Sequence, residues 1–231
     1  MNTLCIARTK CKSSGQRICT LSCPLFVDVR YQTELAGIPK IHQKYLASQL
    51  PETYYQRQAF ADFASKIVER VESGKGLYLY SHLTGTGKST TAVAMAQEYI
   101  LERLKFDYQT GKRTPQLVKF INVADWLEGI RRGMNNDEEA QRSMETTESM
   151  KRVPLLVADD FGAEKISEWT RERLLTVISE RYDNEKTVIF TSNISLQEVQ
   201  VVLGSRLRSR IEGMTIPVEF KVNKDWRRKT P

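Results

Sequence analysis

Apolar residues recur along this chain with two different periods, and the point where one gives way to the other divides the sequence. Between Tyr54 and Glu72, Phe60, Phe63, Ile67 and Val71 fall on one face at helical spacing, which predicts a single helix running from the break at Pro51 to the turn Ser73-Gly74-Lys75-Gly76. Beyond that turn, short apolar runs alternate with longer amphipathic ones. Leu77 to Tyr80, Leu117 to Val123, Pro154 to Ala158, Thr187 to Thr191 and Thr215 to Phe220 read as strands. Ser89 to Leu104, Asp125 to Met134 and Ser167 to Asp183 read as helices. Pro154 to Ala158 is apolar throughout, as a central strand covered on both faces must be. Strand and helix in alternation predict an α/β fold around a parallel sheet. No internal repeat or low-complexity tract interrupts the pattern.

Length and composition narrow the picture. The 231 residues suit one good-sized domain, residues 51–231, preceded by a small appendage, residues 1–50. With 40% hydrophobic and 27% charged residues, the composition is that of a soluble globular protein. No apolar run is long enough to cross a bilayer, and the N-terminus lacks the apolar core of a signal peptide, so a cytosolic (cytoplasmic) location is expected. The formal charge of +7 is compatible with a polyanionic partner and equally with a solvated basic surface. Its basic residues gather at Arg206, Arg208 and Arg210 and again at Lys221, Lys224, Arg227, Arg228 and Lys229. The four cysteines, Cys5, Cys11, Cys19 and Cys23, all lie near the N-terminus. In a reducing compartment such a cluster reads as structural zinc, four thiolates stapling a segment too short for its own core. Gaps of five, seven and three residues are not the paired CxxC pattern, so free or redox-active thiols are the other reading.

The candidate chemistry follows the strands. Ser81-His82-Leu83-Thr84-Gly85-Thr86-Gly87-Lys88-Ser89-Thr90 stands between a strand and a helix. Its glycines allow backbone N–H groups to turn inward around phosphate oxygens, and the following helix offers the same anion the positive end of its dipole. Lys88 is expected to reach the β- and γ-phosphates and Ser89 to offer its hydroxyl to Mg²⁺. Thr84, Gly85, Thr86, Gly87 and Thr90 complete the cradle. The full motif has glycine where this chain has His82, which either strains the loop or sits in an ordinary conformation. After the third strand come Asp159 and Asp160: one to hold Mg²⁺, the other to orient and deprotonate a water, or else the pair caps a helix. Asn193 follows the fourth strand as a phosphate or water sensor, or as a turn residue. Arg206 and Arg210, four apart on a helix face, form either an arginine finger for a neighbouring subunit or a basic surface.

Taken together these motifs resemble the AAA+ ATPases, and within them the bacterial and phage replicative helicase loaders of the DnaC/DnaI type, related to IstB. The likeness is carried by Ala36-Gly37-Ile38-Pro39, Gly74 to Tyr80 with the loop after it, Asp159 to Glu164, and Ser205 to Arg210. It implies a sheet ordered 5-1-4-3-2, no C-terminal lid, ATP held between subunits, and Arg210 as the finger with Arg206 beside it. It also implies a zinc-holding N-terminal region that contacts a DnaB-type hexameric helicase, self-association through the ATP site, and single-stranded DNA as a further partner. Arg131, Arg132, Arg142, Lys151 and Arg152 lie where the loaders carry an insertion facing DNA, although Asp137, Glu138 and Glu139 make a solvated helix an equal reading. A length below that of the usual cellular loader suits a phage or mobile-element version, in the cytoplasm of a bacterial cell or a phage-infected host. Two alternatives share the motor: an IstB-like ATPase that assists a transposase on duplex DNA, and a nucleotide-dependent adaptor with little hydrolysis.

Overall fold

The structure is a computed structural model that describes residues 23–43, 45–47, 50, 57–162 and 167–221, with the side chains of residues 57–59 excepted. Five strands form its sheet: β1 (Gly76–Tyr80), β2 (Val118–Asn122), β3 (Leu155–Phe161), β4 (Thr187–Ser192) and β5 (Thr215–Glu219). They pair in parallel in the order β2-β3-β4-β1-β5, the expected 5-1-4-3-2 read from the other edge. All five lie within two residues of the ends that the apolar runs predict, apart from β3, which continues through both aspartates to Phe161.

Alternation along each strand splits the core into two layers. Leu77, Leu79, Val157 and Ile189 point to one face, where α4 (Lys88–Thr110) lies across the sheet with α1 (Pro24–Leu35), α2 (Arg57–Ser65) and α3 (Ile67–Glu72) outside it. Tyr78, Leu156, Val188 and Phe190 point to the other, under α5 (Val123–Gly133), α7 (Glu168–Asp183), α8 (Leu196–Leu203) and α9 (Ser205–Met214). The result is a three-layer sandwich with both faces of the sheet dry, as uninterrupted apolar strands require.

Three differences from the periodicity have physical causes. The single helix expected over 54–72 is broken at Lys66 (φ −115°, ψ 26°), although Phe60, Phe63, Ile67 and Val71 all face the core as the spacing requires. Helix α4 runs a turn and a half past Leu104, because Arg103 pairs with Asp107 at 2.8 Å and Tyr108 donates to Asp28 of α1; Gly111 at φ 70° ends it. Residues 24–50, expected as an appendage and linker, send Val29, Ala36, Ile38, Leu46 and Leu50 into the same core. The Phe120 N–H donates to the Ala36 carbonyl at 2.8 Å, so this arm also covers the β2 edge.

Between α5 and β3 the chain forms α6 (Asp137–Arg152), capped at Asn136, whose side chain accepts from the Glu138 and Glu139 N–H groups. Its far end is fastened by Arg181, a fully buried side chain of α7. The guanidinium donates to the carbonyls of Met150, Val153 and Pro154 and, across to β4, to Thr187.

Candidate nucleotide site

The loop after β1 turns through two glycines that no other residue type would replace without strain, Gly85 at φ 70° and Gly87 at φ 95°. Gly87 is the N-cap of α4, so the helix begins at Lys88 with its free N–H groups facing the loop. His82, standing where the motif has glycine, needs no left-handed backbone; it lies in the ordinary region, exposed, with Nε2 3.8 Å from the Glu198 carboxylate. Of the two readings of His82, the unstrained one holds. Glu198 already closes a capping box on Ser195 of α8, and those hydrogen bonds hold its carboxyl below the usual range, with a smaller contribution from His82.

Lys88 is 6% exposed. Its ammonium donates to the Leu83 carbonyl at 3.0 Å and to the Asn193 side-chain oxygen at 2.9 Å, with the Ser81 carbonyl at 3.4 Å. The loop lysine and the amide after β4 therefore meet, 105 residues apart in sequence, because β1 and β4 are paired neighbours.

The acidic pair has a geometry that its sequence does not announce. Ala158 pairs with Phe190 and Phe161 with Ser192, so Asp159 and Asp160 together face the single residue Thr191: a β-bulge. The Thr191 hydroxyl fills the gap in the ladder, donating to Asp159 Oδ1 at 2.7 Å and accepting from the Asp160 N–H at 3.0 Å. Asp160 takes a left-handed backbone, φ 56°, and its carboxylate lies 3.4 Å from the Asn122 amide at the end of β2. The bulge thus interrupts the alternation by which an unbroken strand would send two consecutive carboxylates to opposite faces. Among the described residues the next helix is capped by Ser167 and not by this pair.

Asp159 is 7% exposed. Burial pushes its carboxyl above the usual range; hydrogen bonds from Thr191 and Ser89 act against that, and Asp160 adds to it. A buried carboxylate beside a serine hydroxyl, both hard oxygen donors, is a set that fits Mg²⁺. Thr84 and Ser89 line the accessible side of the loop, while Thr86 is buried with its hydroxyl unpaired.

Arg206 and Arg210 do share a face of α9, but neither reaches this site within the chain. Arg210 Nη1 bonds only to the Arg206 carbonyl, at 3.3 Å, and neither residue has a carboxylate partner among the described residues. Arg208 between them is paired with Glu212 at 3.1 Å. Cys5, Cys11 and Cys19 lie outside the described residues, as do Lys224, Arg227, Arg228 and Lys229; Cys23 is a half-buried free thiol ahead of α1. Among the described residues no group of three or more His, Cys, Asp or Glu is gathered as a metal cluster, and no helix is long and apolar enough to cross a membrane. Sequence reasoning missed Thr191, Asn122 and His42, whose Nδ1 lies 3.2 Å from Thr90 Oγ1. Thr191 left a signal, a hydroxyl inside a buried strand; the other two left none.

A family model of IstB-like ATP-binding proteins matches residues 71–209, from the end of α3 into α9. The chain belongs to this family. Among relatives of this IstB-like chain is the replicative helicase loader DnaI of Bacillus subtilis (strain 168), 26% identical over 176 residues, covering 71% of this chain and 51% of that protein. Another is the putative insertion sequence ATP-binding protein y4pL of Sinorhizobium fredii (strain NBRC 101917 / NGR234), 30% identical over 122 residues, 53% of this chain and 43% of that one. The chain thus spans about half the length of the curated relatives it matches. Among solved structures, the crystal structure of the DnaC helicase loader superposes with a TM-score of 0.60 at 25% identity, covering 79% of the IstB-like chain and all of the other. The fold is that of an AAA+ P-loop ATPase, and ATP binding is the property of the family.

Proposed function

We propose that this chain is an ATP-driven switch that binds a replicative hexameric helicase and helps place it on single-stranded DNA. The observation that carries the reading is the convergence of Lys88, Asp159, Asp160 and Asn193 on the ends of three adjacent strands. The named activity of the DnaI relative supplies the partner class. In the ATP site, Lys88 balances charge on the β- and γ-phosphates, and its bond to Asn193 links that charge to β4. Ser89 and Asp159 would hold Mg²⁺, which when bound neutralises charge developing on the phosphates. Asp160, turned out of the strand by the bulge and steadied by Asn122, takes the proton of the attacking water. Asn193 orients that water. Arg210, half-buried with the exposed Arg206 beside it, has no acidic partner among the described residues to hold it back from a neighbouring copy's nucleotide, and such a finger contributes ~10³–10⁵ in rate. Hydrolysis at the shared interface then loosens the assembly.

The test is co-purification of the full chain with a replicative helicase in the presence of ATP and Mg²⁺, with phosphate release followed alongside. The wild type is expected to form the complex and release phosphate, and Lys88→Ala to lose both. Absence of a helicase complex together with absence of salt-sensitive single-strand binding would overturn the proposal. A second reading is favoured by the family match and by the y4pL relative: the same motor assisting a transposase on duplex DNA. Preference for duplex over single strands selects it. Tight nucleotide binding with no phosphate release selects a nucleotide-dependent adaptor instead.

A further inference from the structure

The arm that precedes the sheet packs on α4 and passes beside the first turn of that helix. Ile38 is buried in the core and Pro39 is extended (φ −61°, ψ 135°). Lys40–His42 forms one 3₁₀ turn, closed by the His42 N–H on the Pro39 carbonyl at 3.0 Å. Gln43 folds back on the Ile38 carbonyl at 2.6 Å and is itself gripped by Gln97 of α4 at 3.3 Å. Gln97 lies about two helical turns beyond Thr90. Held at both ends, the turn presents a half-buried imidazole to the first turn of α4, with Nδ1 3.2 Å from Thr90 Oγ1.

Thr90 follows Ser89, and burial, the largest influence on the Asp159 carboxyl, is opposed by Ser89 and by His42. The imidazole therefore stands one residue behind the proposed Mg²⁺ ligands, fixed by an arm that the phosphate-loop motif does not include. We propose that His42 is a positioning residue of the nucleotide site: through Thr90 it sets the first turn of α4 so that Ser89 and Asp159 are oriented for Mg²⁺, and it makes the N-terminal arm part of that site. This rests on the reading of the loop and acidic strand as an ATP·Mg²⁺ site. Partners standing behind metal ligands typically contribute ~10–100-fold in metal affinity.

The probe is a fluorescent ATP analogue titrated into the full chain, with Mg²⁺ and again with EDTA. His42→Ala is expected to weaken binding about tenfold in Mg²⁺ and to leave the EDTA value unchanged. Asparagine places its amide where Nδ1 stands, and glutamine places its amide nearer Nε2. His42→Asn therefore restores the Mg²⁺-dependent affinity and His42→Gln does not. Should His42→Ala fold poorly by circular dichroism, the Asn and Gln pair carries the comparison alone. Wild-type affinity in His42→Ala, an equal loss in EDTA, or identical behaviour of Asn and Gln overturns the inference while the ATP-site reading stands. A wild type that binds no nucleotide, alongside an equally silent Lys88→Ala, removes that reading and the inference with it.

Discussion

The hydroxyl of Thr191 serves both carboxyl residues at once, donating to one side chain and accepting from the other's backbone. Its presence keeps the bulged strand paired, but it does not cancel the cost of holding Asp159 in a dry place. Burial raises that carboxyl above its ordinary value of 3.8, so the folded chain resists ionising it more than the unfolded chain does. The sign follows: stability associated with this group is greatest below the unfolded value, declines as pH rises through the folded value, and stays reduced at neutral pH. Asp159→Asn, which keeps an acceptor for Thr191, is therefore expected to raise the thermal midpoint at pH 7 in the absence of nucleotide, to lose that advantage in mild acid, and to abolish Mg²⁺-dependent ATP binding. Thermal melts at both pH values, with and without ATP·Mg²⁺, check it. A lower midpoint for the asparagine variant at pH 7 would show that the buried charge is compensated.

Strand β1 is positioned by what it lacks as much as by what it contains. A Cβ built on Gly76 would stand 1.8 Å from the Val188 carbonyl oxygen, so β1 lies against the start of β4 only because no side chain intervenes. Gly76→Ala is expected to leave the chain insoluble or without a cooperative melt, whereas Gly129→Ala in α5 meets only the Ser143 hydroxyl at 3.3 Å and should melt within about 1 kcal/mol of wild type. Equal behaviour of the two would refute the packing argument. The strands were legible in the sequence because each is a short run of near-continuous apolar residues, and the phosphate loop was legible because its glycines and lysine are consecutive. Helix α1 escaped notice because its buried face includes Gln32 and Thr33, which mimic a loop; Gln32 bonds to the Leu117 N–H, a contact 85 residues away. The break at Lys66 leaves the apolar spacing intact and so makes no mark on it. The bulge at Asp159 and Asp160 and the approach of His42 to Thr90 depend on neighbours brought in by the sheet, and no local pattern encodes them.

Across the whole molecule, Arg181 joins the end of α6, the start of β3 and the start of β4 by donating to their carbonyls from a fully buried position. Replacing it by methionine keeps most of the volume and removes every donor. At ~1–3 kcal/mol for each buried group left unsatisfied, the loss reaches several kcal/mol, a large part of a total of about 5–15 kcal/mol. Arg181→Met should lower the melting midpoint by about 10 °C or more, and a shift below a few degrees would mean that the carbonyls find other donors. The sheet order has a consequence of a different kind. Strand β5 follows every other strand in the chain, yet it lies beside β1, and Ser81 at the root of the phosphate loop bonds to the Phe220 carbonyl just past it. A nascent chain can form β1, the loop and α4 long before that brace has been synthesised. Unfinished copies on the ribosome thus carry a phosphate loop without its Phe220 brace, and only a chain translated through Phe220 holds that loop as the finished sheet does.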